Sequence, residues 1–179
     1  MYLTLSLDLP PLAFLGMFCM VALVNGAAWL HRVPLFLSSD RAAEMVHALL
    51  PQRSGCSLID LGCGTGTLLS KLARYRPDAR FLGIELAPLP FLCSRLRAVR
   101  QPAVAVRWGS FWRTNLGNYD VVYAYLSPAP MSRLWEKARR EMRPGSLLIS
   151  NGFGIKGVEP AEVIELRDAV QSRLYVWRM

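Results

Sequence analysis

The chain has 179 residues, 21 Lys and Arg against 13 Asp and Glu, a formal charge of +8, and a composition that is 53% hydrophobic and only 19% charged. That length suits one domain with a sizeable core. Four cysteines without a CxxC pair, and two histidines without a partner at metal spacing, argue against a disulfide framework or a zinc site; no repeat or low-complexity tract is present.

The apolar excess is concentrated at the start. No charged residue occurs from Leu9 to Leu30, and "PPLAFLGMFCMVALVNGAAWL" has Asn25 as its only strongly polar side chain. About 20 mainly apolar residues cross a bilayer as a helix. The preceding "MYLTLSLD" lacks the basic region of a signal peptide, and a buried core helix of this length needs a larger domain. The expectation is an anchor domain, residues 1–31, that spans the membrane bilayer once through residues 10–30. Asp8 lies before the run, and His31, Arg32 and Arg41 lie after it. Positive flanks stay cytoplasmic, so the rest of the chain is expected at the inner face of the membrane. All 21 Lys and Arg follow residue 31, against 12 of the acids, leaving that part at +9. Such charge is drawn to an anionic leaflet and equally suits RNA or an acidic protein.

A linker and helix occupy residues 32–55. "RVPLFLSS" leads into a helix expected from Asp40 to Leu50, with Ser39 as its cap and Pro51 as its stop. From residue 56 to 179 short apolar runs alternate with helical patterns. "CSLIDL", "ARFLGIEL", "AVAVRW", "YDVVYAYL" and "SLLISNGF" read as strands. Helices are expected over Thr65–Tyr75, Leu89–Val99 and Met131–Met142, the second with Arg95, Arg97 and Arg100 on or near its exposed side. Glu162–Leu166 and Arg173–Arg178 read as a final hairpin. This alternation predicts an α/β domain around a seven-stranded sheet, mostly parallel, with the last strand antiparallel.

In an open parallel sheet, ligands bind outside the carboxyl ends of the strands. The first strand ends near Asp60, followed by Gly62, Gly64 and Gly66. Glycines there let the backbone turn tightly and approach a ligand, and the following helix offers free N–H groups to an anion. A dinucleotide fingerprint requires a third glycine at position 67, which is threonine, and no Lys-Ser/Thr follows as in a phosphate-binding P-loop. Glu85 closes the second strand, where a carboxylate accepts the hydroxyls of a ribose.

"IDLGCGTG" followed by "GIEL" resembles the class I S-adenosylmethionine-dependent methyltransferases, whose fold is a Rossmann-like seven-stranded sheet. The resemblance implies that Asp60, Gly62, Gly64 and Gly66 hold the methionine portion of S-adenosyl-L-methionine and that Glu85 holds its ribose. Ser110, in "WGSFW", stands where the family often has an aspartate beside the adenine, and Trp112 is placed to close that side. More narrowly, "RVPLFLSSDRAAEMV", "GIELAPLPFLCSRLRA" and "FWRTNLGNYDVVYAYLSP" resemble the membrane-anchored protein-lysine methyltransferases of mitochondria that modify ATP synthase subunit c and the adenine nucleotide translocase, with their bacterial relatives. Within the segment before the domain, "VPLFLSS" lacks that family's second proline. No Arg- and Ser-rich transit sequence precedes the run, which points to a bacterial member in the inner membrane.

Methyl transfer from a sulfonium is an in-line displacement that needs position and desolvation rather than a metal. No metal is expected. The resemblance implies a protein substrate presenting a lysine, whose amine loses its proton more readily in an apolar, aromatic site. Tyr123, Tyr125, Ser127 and Pro128, following strand four, are the candidates on the substrate side. The alternatives are a small-molecule methyltransferase, an RNA methyltransferase, and a binding relic without turnover. The anchor makes nucleic acid the less favoured substrate.

Overall fold

A computed structural model describes residues 10–17, 38–168 and 171–179. Residues 11–17 are helical and exposed. Among the described residues no helix is long and apolar enough to cross a membrane. Most of the expected span, residues 18–30, lies outside the described residues, as does the stretch up to residue 37.

The remainder is one mixed sheet covered on both faces. Its strands are β1 (Ser57–Leu61), β2 (Arg80–Glu85), β3 (Val104–Trp108), β4 (Val121–Ala124), β5 (Leu147–Asn151), β6 (Glu162–Glu165) and β7 (Arg173–Arg178), in the order β3-β2-β1-β4-β5-β7-β6. The first five are parallel, and β7 runs antiparallel to both β5 and β6. The expected final hairpin and antiparallel last strand are therefore present. β4 and β5 are buried along their whole length, as their unbroken apolar runs require.

Four helices accompany the sheet: α1 (Asp40–Leu49), α2 (Thr67–Tyr75), α3 (Pro88–Ala98) and α4 (Met131–Glu141). α1 and α2 pack with Leu58, Val121, Tyr123 and Ile149 in one core, and α3 reaches it through Phe91 and Ala98. α4 packs with Ile59, Val122, Ala124 and Leu148 on the other face. Alternate residues of each strand thus serve opposite cores. Ser39 caps α1 as expected, its Oγ accepting from the Ala42 N–H at 3.1 Å. α2 starts two residues later than the sequence suggests, because Gly66 adopts φ +73°, a left-handed conformation that the helix does not continue through. β1 likewise runs one residue past Asp60.

The order of strands reverses between β1 and β4. Crossovers leave that point on opposite faces, opening a crevice at the carboxyl ends of the two strands. At the opposite end, Asp120 accepts from the Ser57 N–H at 2.8 Å and pairs with Arg53 and Arg143, tying β1 to the turn before β4.

Candidate active site

The crevice is lined by Ser38, Asp60, Gly62, Cys63, Thr65, Thr67, Leu68, Tyr123 and Tyr125. Of the site residues expected from sequence, Asp60, Gly62, Tyr123 and Tyr125 line it. Gly62, Gly64 and Gly66 all have positive φ, at +80°, +56° and +73°. The loop packs tightly against its surroundings: a Cβ on Gly66 would stand 3.1 Å from that of Ser94, and one on Gly62 would stand 3.3 Å from Leu126 Cδ2. Gly66 also heads α2 without a side-chain cap, so the first-turn N–H groups of that helix are left for an anion.

Glu85 is joined to this loop. Its Oε2 accepts from the Gly64 N–H at 2.7 Å, and its Oε1 accepts from the N–H groups of Leu86 and Ala87, each at 2.8 Å. A carboxylate has about four acceptor positions, and three are already filled. Glu85 is thus not a free acid awaiting both hydroxyls of a diol. It is the bracket that fixes the glycine loop to the start of α3, with room for one further donor.

Arg97 completes the loop's support, although the sequence suggested only a solvent-facing arginine. Its Nη1 donates to the Thr65 carbonyl at 2.7 Å and to Thr67 Oγ1 at 2.9 Å. Arg97 is exposed, so these bonds are worth about 1 kcal/mol net. Arg97→Ala should weaken ligand binding in the crevice about fivefold with little change in melting temperature. A calorimetric titration showing undiminished affinity would remove Arg97 from the site.

Asp60 is 4% exposed, and burial, reinforced by the nearby Glu85 charge, pushes its carboxyl up to about 8. A bound cation would relieve this and release a proton. The sign for stability is fixed. An acid whose folded pKa lies above its unfolded value of 3.8 favours the folded state most at low pH. That contribution is lost as pH rises from about 4 to about 8, and is constant above. Asp60→Asn should therefore stabilise the ligand-free protein relative to wild type by an amount that grows across this window. A melting-temperature difference independent of pH would contradict the burial of a neutral Asp60.

Tyr123 is not the open substrate contact its position suggested. It is 1% exposed and lies opposite Asp60 in the β1–β4 register. Its hydroxyl shares a 2.8 Å hydrogen bond with Ser38 Oγ and accepts from Asn151 Nδ2 at 3.0 Å. Burial pushes its hydroxyl pKa up. The segment before α1 thus reaches the crevice, and Ser39 Oγ donates to Asp168 Oδ2 at 2.8 Å beside it. No sequence signal announces a bond spanning 85 residues. Tyr125, half-buried, packs over Gly152. Ser127 and Pro128 do not line the crevice: Pro128 is exposed, and its carbonyl accepts from the Met131 N–H at the start of α4.

Ser110 follows Gly109, whose N–H donates to the Glu85 carbonyl at 2.9 Å, so the turn after β3 lies against the end of β2. Trp112 lies beneath the Arg133 guanidinium at 4.3 Å and packs with the core on the α4 side.

Residues 60–162, more than half of the chain, match the model of the ANTKMT methyltransferase domain. Two curated proteins are similar over 113 residues. A protein-lysine N-methyltransferase of Saccharolobus islandicus is 27% identical, over 61% of this chain and 70% of its own. A trans-aconitate 2-methyltransferase of Deinococcus radiodurans is 29% identical, over 59% of this chain; the chain spans only 41% of that relative's length. Among solved structures, an RNA methyltransferase from Salinibacter ruber in complex with S-adenosyl-L-homocysteine superposes with a TM-score of 0.72 at 23% identity, over 80% of this chain and 93% of that one.

Proposed function

The chain belongs to the ANTKMT methyltransferase family, a class I S-adenosylmethionine-dependent enzyme domain, and from this we propose that it methylates a lysine side chain of a membrane-associated protein. The observation that carries the reading is the match to this family, supported by the protein-lysine N-methyltransferase among its relatives.

The crevice fits the cofactor. Burial disfavours the charge on Asp60, and a positively charged ligand beside it restores that charge, while the uncapped start of α2 suits a carboxylate. In this reading, these groups with Gly62, Gly64, Gly66 and Thr67 hold the amino-acid end of S-adenosylmethionine. Glu85 keeps one acceptor position for the ribose, and Ser110 serves the adenine side. The cofactor supplies a methyl group already activated on sulfur. The chain's own part is to orient and to exclude water. Tyr125 offers an aromatic wall to the incoming amine, and desolvation there lowers the amine's pKa so that its lone pair is free. The proton leaves to water as the amine enters.

The apolar run at residues 10–30 completes the proposal. In it, one spanning helix holds the domain at the cytoplasmic face of a bacterial inner membrane, next to substrates in the same bilayer. The test is transfer of radiolabelled methyl groups from the cofactor into membrane fractions of a deletion strain. Label is expected in protein, recovered as methyl-lysine after hydrolysis. Label removed by RNase but not by protease would replace this reading with RNA methylation, and label in a lipid-soluble small molecule would defeat both.

A further inference from the structure

The surface of α3 farthest from the sheet is apolar where a soluble helix is normally polar. Leu92, Leu96 and Val99, spaced four and three residues apart, are 53%, 66% and 79% exposed, while Pro90 and Ser94 face inward. Trp108, at the end of the edge strand β3, is 65% exposed and stacks with Phe91 of α3 at 6.2 Å between ring centroids. Outside residues 10–17, these are four of the six large hydrophobic side chains that the described residues leave exposed.

This surface is also one-signed. Between Glu85 and Asp120 the sequence contains five arginines and no Asp or Glu. Arg95 lies beside the apolar stripe by the 100° step of a helix, and Arg100, exposed, stands in the turn that ends α3. Arg95 Nη1 donates to the Val106 carbonyl at 3.4 Å, which joins the stripe to the β3 edge that carries Trp108. Arg97, the remaining arginine of the helix, is turned away to Thr65. Aliphatic side chains, a border tryptophan and flanking arginines are the combination that partitions into a headgroup layer. The absence of any acid makes it complementary to negative charge.

We propose that the outer face of α3, with Trp108, is a docking surface for anionic lipid. Leu92, Leu96 and Val99 enter the acyl boundary, and Arg95 and Arg100 bind lipid phosphates. The docking is distinct from methyl transfer and requires no spanning segment, since every residue of it lies within the folded domain.

The test uses the full chain with Cys19→Ser and an environment-sensitive fluorophore on Cys93, which is exposed on α3 while Cys56 and Cys63 are buried. The protein is combined with vesicles of phosphatidylcholine or of phosphatidylcholine mixed with phosphatidylglycerol, and sedimentation is read in parallel. On mixed vesicles the fluorescence is expected to shift to the blue, and quenching by iodide is expected to fall at least twofold; on pure phosphatidylcholine neither occurs. Leu96→Glu, and separately Arg95→Gln with Arg100→Gln, should abolish the shift without altering the far-ultraviolet spectrum. A fluorophore still open to iodide on protein that sediments with mixed vesicles overturns the proposal and leaves the anchor intact. Equal shielding by poly-glutamate in place of vesicles would also overturn it, in favour of an acidic protein partner.

Discussion

Glu85→Ala will bind S-adenosylmethionine more than a hundredfold more weakly than wild type. Hydrogen bonds to a charged acceptor are worth about 1.5–3 kcal/mol each, and this carboxylate receives three from the backbone. The Leu86 and Ala87 N–H groups lie at the start of α3 and recover bonds to water at modest cost. The Gly64 N–H is buried within the loop and does not. Losing its acceptor frees the loop from the conformation that defines the crevice, and the acceptor position kept for the ribose is lost as well. The combined effect on binding is about 3 kcal/mol, and the protein should also melt a few degrees earlier. Glu85→Gln keeps the shape and part of the acceptor capacity, so it should fall between the two. Calorimetry decides: a loss below about threefold would show that Glu85 merely caps α3. Nicotinamide dinucleotide should bind neither protein, because Thr67 occupies the position where that fingerprint needs glycine.

Gly64→Val should leave no measurable cofactor binding. At φ +56° a residue with Cβ pays about 1–2 kcal/mol, and a β-branched one is a true outlier there. The loop will abandon the left-handed turn, and the Gly64 N–H will swing away from Glu85. Cys63 and Leu68 tie the flanks of the turn into the core, so the variant should melt a few degrees earlier but still unfold cooperatively. The two substitutions break one interaction, and their effects should therefore not add. Gly64→Val introduced on Glu85→Ala is expected to cost visibly less in the remaining affinity than on wild type. Full additivity in that cycle would mean that the loop and the acid act separately.

Much of this architecture was written locally in the chain. Apolar runs of four to eight residues marked the central strands, and the polar stretch between Leu166 and Arg173, set between two β-rich runs, marked the final hairpin. The glycine loop was legible because three alternate glycines after a buried strand have few other uses. What remained hidden depends on side chains that meet across distant elements. Arg97 sits among arginines with the same local pattern, and only the packing of α3 beside the glycine loop brings it to Thr65. Tyr123 follows the alternation of its strand, but the pattern says nothing of Ser38 or Asn151 at its hydroxyl. Glu85 was recognisable as an acid at a strand end. That its oxygens are mostly committed to backbone N–H groups follows from how the loop and α3 converge on it, which no spacing encodes.

The hydrogen bonds of Ser38 to Tyr123 and of Ser39 to Asp168 set a leash. Eight residue steps separate Leu30 from Ser38, and a fully extended chain covers about 3.5 Å per step. With the apolar run embedded as proposed, the crevice can never stand more than about 28 Å from the point where the chain leaves the bilayer. The pinned serines then fix which altitude above the membrane the enzyme can work at. A lysine carried on a tall extramembrane domain is out of range whatever its sequence, whereas one near the headgroups lies within the allowed span. Selection of substrates by height would need no recognition motif at all.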